Sequence, residues 1–289
     1  MNCTCREICG IIDEIAPPEL AQEGDPVGLH LGCGDQPVDR LFLALELTPE
    51  VLREALDFGA DMILVHHTPF YRPFTHLRED EPLNRLVLEL IRRRVALFCA
   101  HTNLDSVWGG VSDALARALD LMDVDVLQRD QRPAGRALPD TPEAPGSSLT
   151  SDSPGARQAA AAGLGRVGTL PEPMALHDFA VFVSKKLGAS GLRYCGDGAR
   201  QVSRVACCGG AGAVLLPEAI ASGADAFVTA DLKHHEGVLA LGLGVALVDA
   251  GHFATENLVL ADIAARIRKK RPQLLVELSA ADGNPFIPV

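Results

Sequence analysis

Aromatic residues, positive charge and long apolar runs are all scarce in this chain of 289 residues. Only 4% of the residues are aromatic, so few side chains could stack on single-stranded nucleic acid. The formal net charge of -12 disfavours binding of phosphate backbones by bulk charge. The longest apolar run, Val238 to Val248, is rich in glycine and too short to span a bilayer. We therefore expect a globular protein with neither a nucleic acid nor a membrane as its partner.

An export signal and a cysteine framework are also missing from the pattern. The first residues carry no basic segment followed by a long apolar one. Eight cysteines in a large chain of this kind are expected to be reduced thiols in the cytoplasm. Cys3, Cys5 and Cys9 are candidates for a soft-metal site, but the chain lacks a C-x-x-C pair and a fourth ligand.

Along the chain, apolar runs typical of strands alternate with patterns typical of amphipathic helices. Met62 to Val65 is a continuous apolar run, typical of a strand covered on both faces. The helix before it begins after Thr48 with Pro49 and ends at Gly59, residue types preferred at helix ends. This alternation predicts an α/β layer fold.

One sequence pattern occurs twice. Gly59-Ala60-Asp61, an apolar strand and a second strand ending at His101 are matched by Gly223-Ala224-Asp225, a strand and a strand ending near His252. We therefore predict two pseudo-repeated α/β lobes with a composite metal site between them. The first lobe comprises residues 1–125, a flexible connection rich in Pro, Gly and Ser comprises 126–165, and the second lobe comprises 166–289, with its C-terminal helix packing back on the first.

Histidines and carboxylates follow the repeated strands. His66-His67 follows one strand, and each half ends with a histidine and an acid four residues apart, His101 with Asp105 and His252 with Glu256. Residues at this spacing share one face of a helix. Because adjacent strand residues point to opposite sides, we expect the histidine pair to serve two nearby ions, one each.

The donor types favour two divalent cations. Asp105 and Glu256 could each bridge two ions, and His66, His67 and His252 are natural terminal ligands. Two negative charges against four positive ones leave room for water or an anionic substrate, as in sites that activate water and hold an oxyanion. Imidazole and carboxylate ligands indicate Zn, Fe, Mn, Co or Ni, and the chain does not decide among them.

Several other residues have two interpretations. His101 is a third-strand ligand, or it orients Asp105 or contacts substrate as a catalytic proton carrier; we favour the second interpretation. His234-His235 either lies near the cavity or is a surface pair at a helix start. His30 either faces the site with Asp25 or points outward from a strand. The Gly209 to Gly212 turn either binds phosphate through its N–H groups or packs tightly.

These residues lie in blocks that resemble the GTP cyclohydrolase I type 2 homologue family, also called the Nif-three-like dinuclear metal proteins. The blocks run in order over nearly the whole chain: Asp25 to Leu29, Ala60 to Phe70, His101 to Asp105, Gly165 to Met174, Cys208 to Gly212, Gly223 to Lys233 and Asp249 to Glu256. The resemblance implies a two-lobed α/β fold, a dinuclear site and a ring-like homohexamer with a small-molecule ligand in its cavity. It carries the metal ligands onto His66, His67, Asp105, His252 and Glu256.

The open ligand set leads to two functional hypotheses. The first is a metal-dependent hydrolase, of cyclohydrolase or phosphoesterase type, acting on a nucleotide-like or phosphorylated small molecule. The alternative is a non-catalytic ring protein that binds metal for regulation or metal handling. A purely structural metal fits poorly, because structural zinc usually has a closed, cysteine-rich shell.

Overall fold

The computed structural model describes residues 3–130, 162–281 and 283–287. Its internal contacts divide the chain into two compact units. Unit 1 comprises Met1–Leu104 and Asn257–Pro285, and unit 2 comprises Asp105–Glu256 and Phe286–Val289. The chain therefore leaves unit 1 after Leu104 and returns to it after Glu256.

Strands and helices alternate along the chain. The helices are α1 Cys5–Ile15, α2 Pro49–Phe58, α3 Pro82–Arg93, α4 Thr102–Ser106, α5 Val111–Ala118, α6 Leu176–Leu187, α7 Leu216–Ala221, α8 His234–Leu243, α9 His252–Glu256 and α10 Leu258–Lys270. The strands are β1 Cys3–Thr4, β2 Gly28–Leu31, β3 Pro37–Val38, β4 Arg40–Ala44, β5 Met62–Val65, β6 Ala96–Cys99, β7 Met122–Arg129, β8 Gly163–Ala175, β9 Arg193–Cys195, β10 Gln201–Cys207, β11 Ala226–Thr229, β12 Ala246–Asp249 and β13 Leu275–Leu278. Short 3-10 turns lie at Pro18–Leu20 and Ala213–Leu215.

Unit 1 is built on a five-stranded sheet. Its strand order is β13-β4-β5-β6-β2, in which neighbours from β13 to β6 run parallel and β2 pairs antiparallel at the edge. Strands β5 and β6 are buried along their whole length, as expected for parallel strands covered by helices. The predicted caps of α2 are present: Thr48 Oγ1 accepts a hydrogen bond from the backbone N–H of Val51, and Gly59 closes the helix with a φ of 76°.

Unit 2 repeats this arrangement. Its sheet has the order β7-β8-β10-β11-β12-β9; β10, β11 and β12 are parallel, and β9 is the antiparallel edge. The hydrogen bonds repeat as well: Asp61 Oδ2 accepts from the backbone N–H of Arg40 at 3.0 Å, and Asp225 Oδ2 accepts from that of Arg204 at 2.9 Å. The mixed α/β fold predicted from the sequence is confirmed.

The division by contacts differs from the division into 1–125, 126–165 and 166–289. Residues 105–125 belong to unit 2, because α5 packs on β8 and β7 pairs with β8. Residues 257–285 belong to unit 1, where α10 packs on α1 and β4. Most of the predicted connection, residues 131–161, lies outside the described residues, but both of its ends are strands rather than loop, since they belong to β7 and β8.

Unit 2 contains one fully buried guanidinium. Arg166 lies in β8 with no exposed surface, and its Nη2 donates to Asp113 Oδ2 and, at 3.1 Å, to Val107 O. The guanidinium also stacks over the Trp108 ring, 5.1 Å from its centroid. A buried charge of this kind requires a partner charge and hydrogen bonds, and both are present.

Among the described residues, no helix combines the length and the apolar character needed to cross a membrane.

Candidate metal centre

The candidate ligands of unit 1 follow two neighbouring parallel strands. His66 and His67 come directly after β5, and His101 follows β6 by two residues. Because the carboxyl ends of parallel strands meet at one edge of a sheet, the fold brings the three imidazoles together there.

The three rings form a compact cluster. The ring centroid of His66 lies 4.8 Å from that of His67 and 5.3 Å from that of His101, and the remaining pair is 5.6 Å apart. One ligand nitrogen of each ring lies within 4.8 Å of the others. The expectation that His66 and His67 point to opposite sides was wrong, because β5 ends at Val65 and the chain bends there instead of continuing as a strand.

A hydrogen bond to Nδ1 fixes each ring of this cluster. His66 Nδ1 lies 2.7 Å from Ala100 O and His101 Nδ1 lies 2.8 Å from Asp25 Oδ1, while His67 Nδ1 lies 3.3 Å from Glu46 Oε1. An acceptor at Nδ1 selects the tautomer that carries its proton there and leaves the Nε2 lone pair for a cation. The cluster therefore offers three Nε2 atoms of unit 1 as candidate metal ligands.

Asp25 is a carboxylate built to stay charged. Burial opposes its ionisation, but hydrogen bonds from Thr102 and His101 outweigh that cost and lower the pKa of Asp25 below its usual value. Its Oδ2 atom accepts from both the hydroxyl and the backbone N–H of Thr102. The result is an anion that holds the His101 ring.

The candidate ligands of unit 2 repeat the histidine–carboxylate arrangement. His252 and Glu256 lie one turn apart on α9, with Nε2 and Oε2 separated by 3.1 Å. His252 Nδ1 lies 2.7 Å from Asp231 Oδ2. Hydrogen bonding to the Glu256 carboxylate, with a further contribution from Asp231, raises the pKa of His252 to about 9. The side chain of Glu256 is only 5% exposed.

Asp105, the other predicted bridging carboxylate, lies on the same side of unit 2 as Glu256. Burial, together with the nearby negative charges of Asp105 and Glu256, raises the pKa of the Cys208 thiol to about 12. Two carboxylates that act on one buried thiol repel each other as well. Such a pair is stabilised when a cation binds between its oxygens.

The Gly209 to Gly212 turn packs against these carboxylates and does not form an anion cradle. Gly210 has a φ of 63°, and a Cβ added there would lie 2.2 Å from Glu256 Oε1. The N–H groups of Gly210 and Gly212 already donate to the hydroxyls of Thr255 and Thr229. The structure therefore favours tight packing over phosphate binding for this turn.

The remaining candidates lie elsewhere or have structural contacts. His30 hydrogen-bonds Pro26 O and Thr68 Oγ1, and burial lowers its pKa. His234 and His235 are exposed at the start of α8. In the described part of the chain, no group of three candidate metal ligands contains a cysteine.

The donor set fits a divalent metal ion. Imidazole nitrogens and carboxylate oxygens are the usual ligands of Zn, Fe, Mn, Co and Ni in open protein sites. The described residues thus contain histidine and glutamate groups that are able to bind metal.

The acceptors on Nδ1 are the part of the site that sequence patterns did not reveal. Asp25 was named from the sequence only as a residue that could face a site, and Glu46 was not singled out at all. Glu46 lies close to His67 only because β4 and β5 are neighbours in the sheet. Its position just after a strand that precedes the histidine strand is the one signal in the sequence.

Comparison with known proteins agrees with this architecture. The family model for Duf34/NIF3 (NGG1p interacting factor 3) matches residues 3–285. A Streptomyces coelicolor protein described as "GTP cyclohydrolase 1 type 2 homolog" is 38% identical, over 86% of this chain and 80% of its own length. A Clostridium perfringens protein of the same description is 30% identical, over 98% of this chain and 99% of its own.

A solved structure extends the agreement to the fold. The Bacillus cereus protein described as related to NIF3 superposes with a TM-score of 0.88 and 26% identity, covering 100% of this chain and 99% of that one. The family model spans nearly every residue, and both relatives align with this chain over most of their length. The chain belongs to the Duf34/NIF3 (NGG1p interacting factor 3) family.

Proposed function

We propose that this protein binds two divalent metal ions and uses them to hydrolyse a nucleotide-like or phosphorylated small molecule. The proposed ligands are His66, His67, Asp105, His252 and Glu256, so both units contribute. The composite site predicted from the sequence remains a prediction, and it is part of this proposal.

The observation that carries the proposal is the common orientation of the imidazoles. His66, His67, His101 and His252 each have Nδ1 within 3.3 Å of an oxygen acceptor, so Nε2 is the atom that the proposed ligands His66, His67 and His252 would offer to a metal ion. Histidines kept only for packing would not need the same tautomer in every case. Metal-binding histidines do, because the second ring nitrogen is usually held by a carbonyl or carboxylate.

The positions of the acids along the chain support joint use of the two sets. Asp105 is the first residue of unit 2 and Glu256 is the last residue of its long segment. Each proposed carboxylate ligand is therefore joined covalently to unit 1 by the preceding or following residue. In this way the fold ties the acids of one unit to the chain of the other.

The residues have separate roles in the proposed reaction. When bound, two divalent ions supply Lewis acidity, which favours deprotonation of water and stabilises a developing oxyanion. His101 moves a proton at its Nε2 atom, and Asp25 holds the ring through Nδ1. The relatives described as GTP cyclohydrolase homologues make nucleotides the first substrates to test.

A homo-oligomer in the cytoplasm is the proposed setting, with a hexameric ring as the assembly. Four large apolar side chains of α8 are more than half exposed: Val238, Leu239, Leu241 and Leu243. A helix that is apolar on most of its surface normally buries that surface against another element. A second copy of this chain is the proposed cover, and all eight cysteines are free thiols, in keeping with a reducing compartment.

Turnover by metal-loaded protein tests the hydrolase proposal. The protein would be loaded in turn with Zn, Fe, Mn, Co and Ni and incubated with nucleotides, phosphoesters and cyclic amides. We expect hydrolysis of at least one class, lost in His101→Ala while metal content stays the same. Absence of turnover with every metal, together with tight and reversible metal release, would favour the non-catalytic binding protein instead.

A further inference from the structure

Asp231 has a left-handed backbone conformation at a position that is not the end of a helix. Among the described residues, four other than glycine have positive φ: Arg94, Asp120, Asp123 and Asp231. Arg94 caps α3, Asp120 follows the end of α5, and Asp123 lies at the irregularity between β7 and β8. Asp231 has a φ of 56° two residues beyond the end of β11. Conformations of this kind persist where the surroundings enforce them, often at functional sites.

The repeat shows what Asp231 replaces. Gly59-Ala60-Asp61 and Gly223-Ala224-Asp225 are equivalent, and counting forward from each places Asp231 at the position of His67. The backbone keeps this register: Ala100 N–H donates to Val65 O at 3.0 Å, and Ala250 N–H donates to Thr229 O at 2.9 Å. Unit 2 therefore carries a carboxylate where unit 1 carries a candidate metal ligand.

The carboxylate of Asp231 is aimed at a ring and held there by its backbone. Its Oδ2 atom lies 2.7 Å from His252 Nδ1, although the side chain is 51% exposed and would otherwise turn freely. The next residue, Leu232, is fixed on both sides: its carbonyl accepts from Arg193 Nη2 at 2.6 Å and its N–H donates to Asp249 Oδ2 at 3.2 Å. The backbone next to Asp231 is thus held by hydrogen bonds, and the Asp231 carboxylate contacts His252.

We infer that Asp231 is a positioning residue whose left-handed backbone is maintained in order to orient His252 for metal binding. The inference rests on the proposed function, since it takes His252 as a ligand. Unit 1 uses the same device with a different residue, because Asp25 Oδ1 lies 2.8 Å from His101 Nδ1. A carboxylate on the far nitrogen of a metal-binding histidine typically changes metal affinity about 10–100-fold.

Two substitutions separate positioning from folding. Asp231→Gly removes the carboxylate and accepts the left-handed backbone freely, whereas Asp231→Asn also tolerates that backbone and keeps an oxygen acceptor. We expect Asp231→Gly to weaken Zn binding about 10–100-fold in a chelator competition. The unfolding midpoint of its metal-free form should stay the same or rise by about 1–2 °C. Asp231→Asn should regain most of the affinity.

The matched control is Asp123→Gly, which relieves the same backbone conformation on an exposed aspartate of unit 2. The Asp123→Gly variant should bind Zn with the same affinity as the wild type. Wild-type affinity in Asp231→Gly, or an equal loss in Asp123→Gly, would overturn the inference. If the wild type binds no Zn, the proposed function fails on its own. Crystal structures of the metal-free proteins then decide the positioning role, and an unchanged His252 ring in Asp231→Gly overturns it.

Discussion

Two aspartates of unit 1 show how neighbouring groups shift the pKa of a partly buried carboxyl in opposite directions. Asp25 keeps a lowered pKa because the hydrogen bonds from Thr102 and His101 outweigh burial. Asp13 on α1 has the opposite shift: burial, with the negative charge of Glu19, raises its pKa to about 6. The first carboxylate is part of the candidate site, and the second is a cost to the fold at neutral pH.

Asp13→Asn should stabilise the protein increasingly as the pH rises from about 4 to about 6, and fully above that. An acid whose folded pKa is raised favours folding below about pH 4, and this contribution is lost as the pH rises to about 6. The amide has no such dependence. We expect the variant to gain about 1 kcal/mol in unfolding free energy at pH 8, after allowance for partial exposure, and nothing at pH 4. Urea unfolding at the two pH values measures it, and an equal effect at both would contradict the assignment.

At the scale of elements, the carboxyl ends of the parallel strands position every candidate ligand. The turn after β10, the chain after β11 and the start of α9 meet at one edge of the unit 2 sheet, and the chain after β5 and β6 does the same in unit 1. The glycines after β10 let that turn approach Glu256 closely. This contact fixes the part of the candidate site that contains Glu256.

Gly210→Ala should therefore damage the site more than the fold. The added Cβ would lie 2.2 Å from Glu256 Oε1, and the φ of 63° disfavours any side chain. We expect metal affinity to fall at least about 10-fold. Gly223→Ala is the matched control, because its φ of 74° is equally strained but nothing lies within 4 Å of an added Cβ. Gly223→Ala should lower the free energy of unfolding by about 1 kcal/mol and leave metal affinity unchanged. Equal metal affinities for the two variants would refute the role of Gly210.

Elements with a local cause were predictable from the sequence. Strand β5 was predicted with its observed bounds, because an apolar run lies between a glycine that ends a helix and a histidine pair. Strand β8 was not predicted, since Pro171-Glu172-Pro173 resembles a loop. The pairing with β10 jumps from Val202–Met174 to Arg204–Thr169, so this segment lies in a bulge. The residues on either side of the bulge belong to one strand because both parts pair with β10.

The site, like the fold, was predictable where its cause lies in the local sequence. The histidine–acid spacing revealed His252 with Glu256, because both lie on one short helix. The acceptors Glu46 and Asp25 depend on contacts between segments 21 and 76 residues apart, which no local pattern encodes. The convergence of His66 and His67 depends on the bend of the chain after Val65, which the apolar pattern of β5 does not encode.

At the scale of the whole molecule, the exposed apolar surface of α8 is the feature that the proposed assembly would cover. Val238, Leu239, Leu241 and Leu243 are exposed on this helix, and exposed apolar patches of this kind mark interaction surfaces. Self-association would bury it without requiring a second gene product, in keeping with the ring assembly proposed above.

Val238→Glu with Leu239→Glu should break the proposed assembly. Two carboxylates in an apolar interface would be buried without partners, which opposes association strongly. We expect the mass from light scattering to fall to a smaller species while the circular dichroism spectrum is retained. Ile91→Glu, at a side chain of α3 that is 48% exposed, is the control and should leave the mass unchanged. An unchanged mass for the α8 variant would place the interface elsewhere.

The metal content of the purified protein tests the central claim most directly. After chelation and reloading, elemental analysis of the wild type should give two divalent ions per chain. His66→Ala with Glu256→Ala, one substitution in each unit, should abolish stoichiometric metal while the fold persists by circular dichroism. The control, His177→Ala with Glu172→Ala, removes an exposed histidine and an exposed glutamate outside the candidate centre and should keep both ions. Unchanged metal content in His66→Ala with Glu256→Ala would contradict the account.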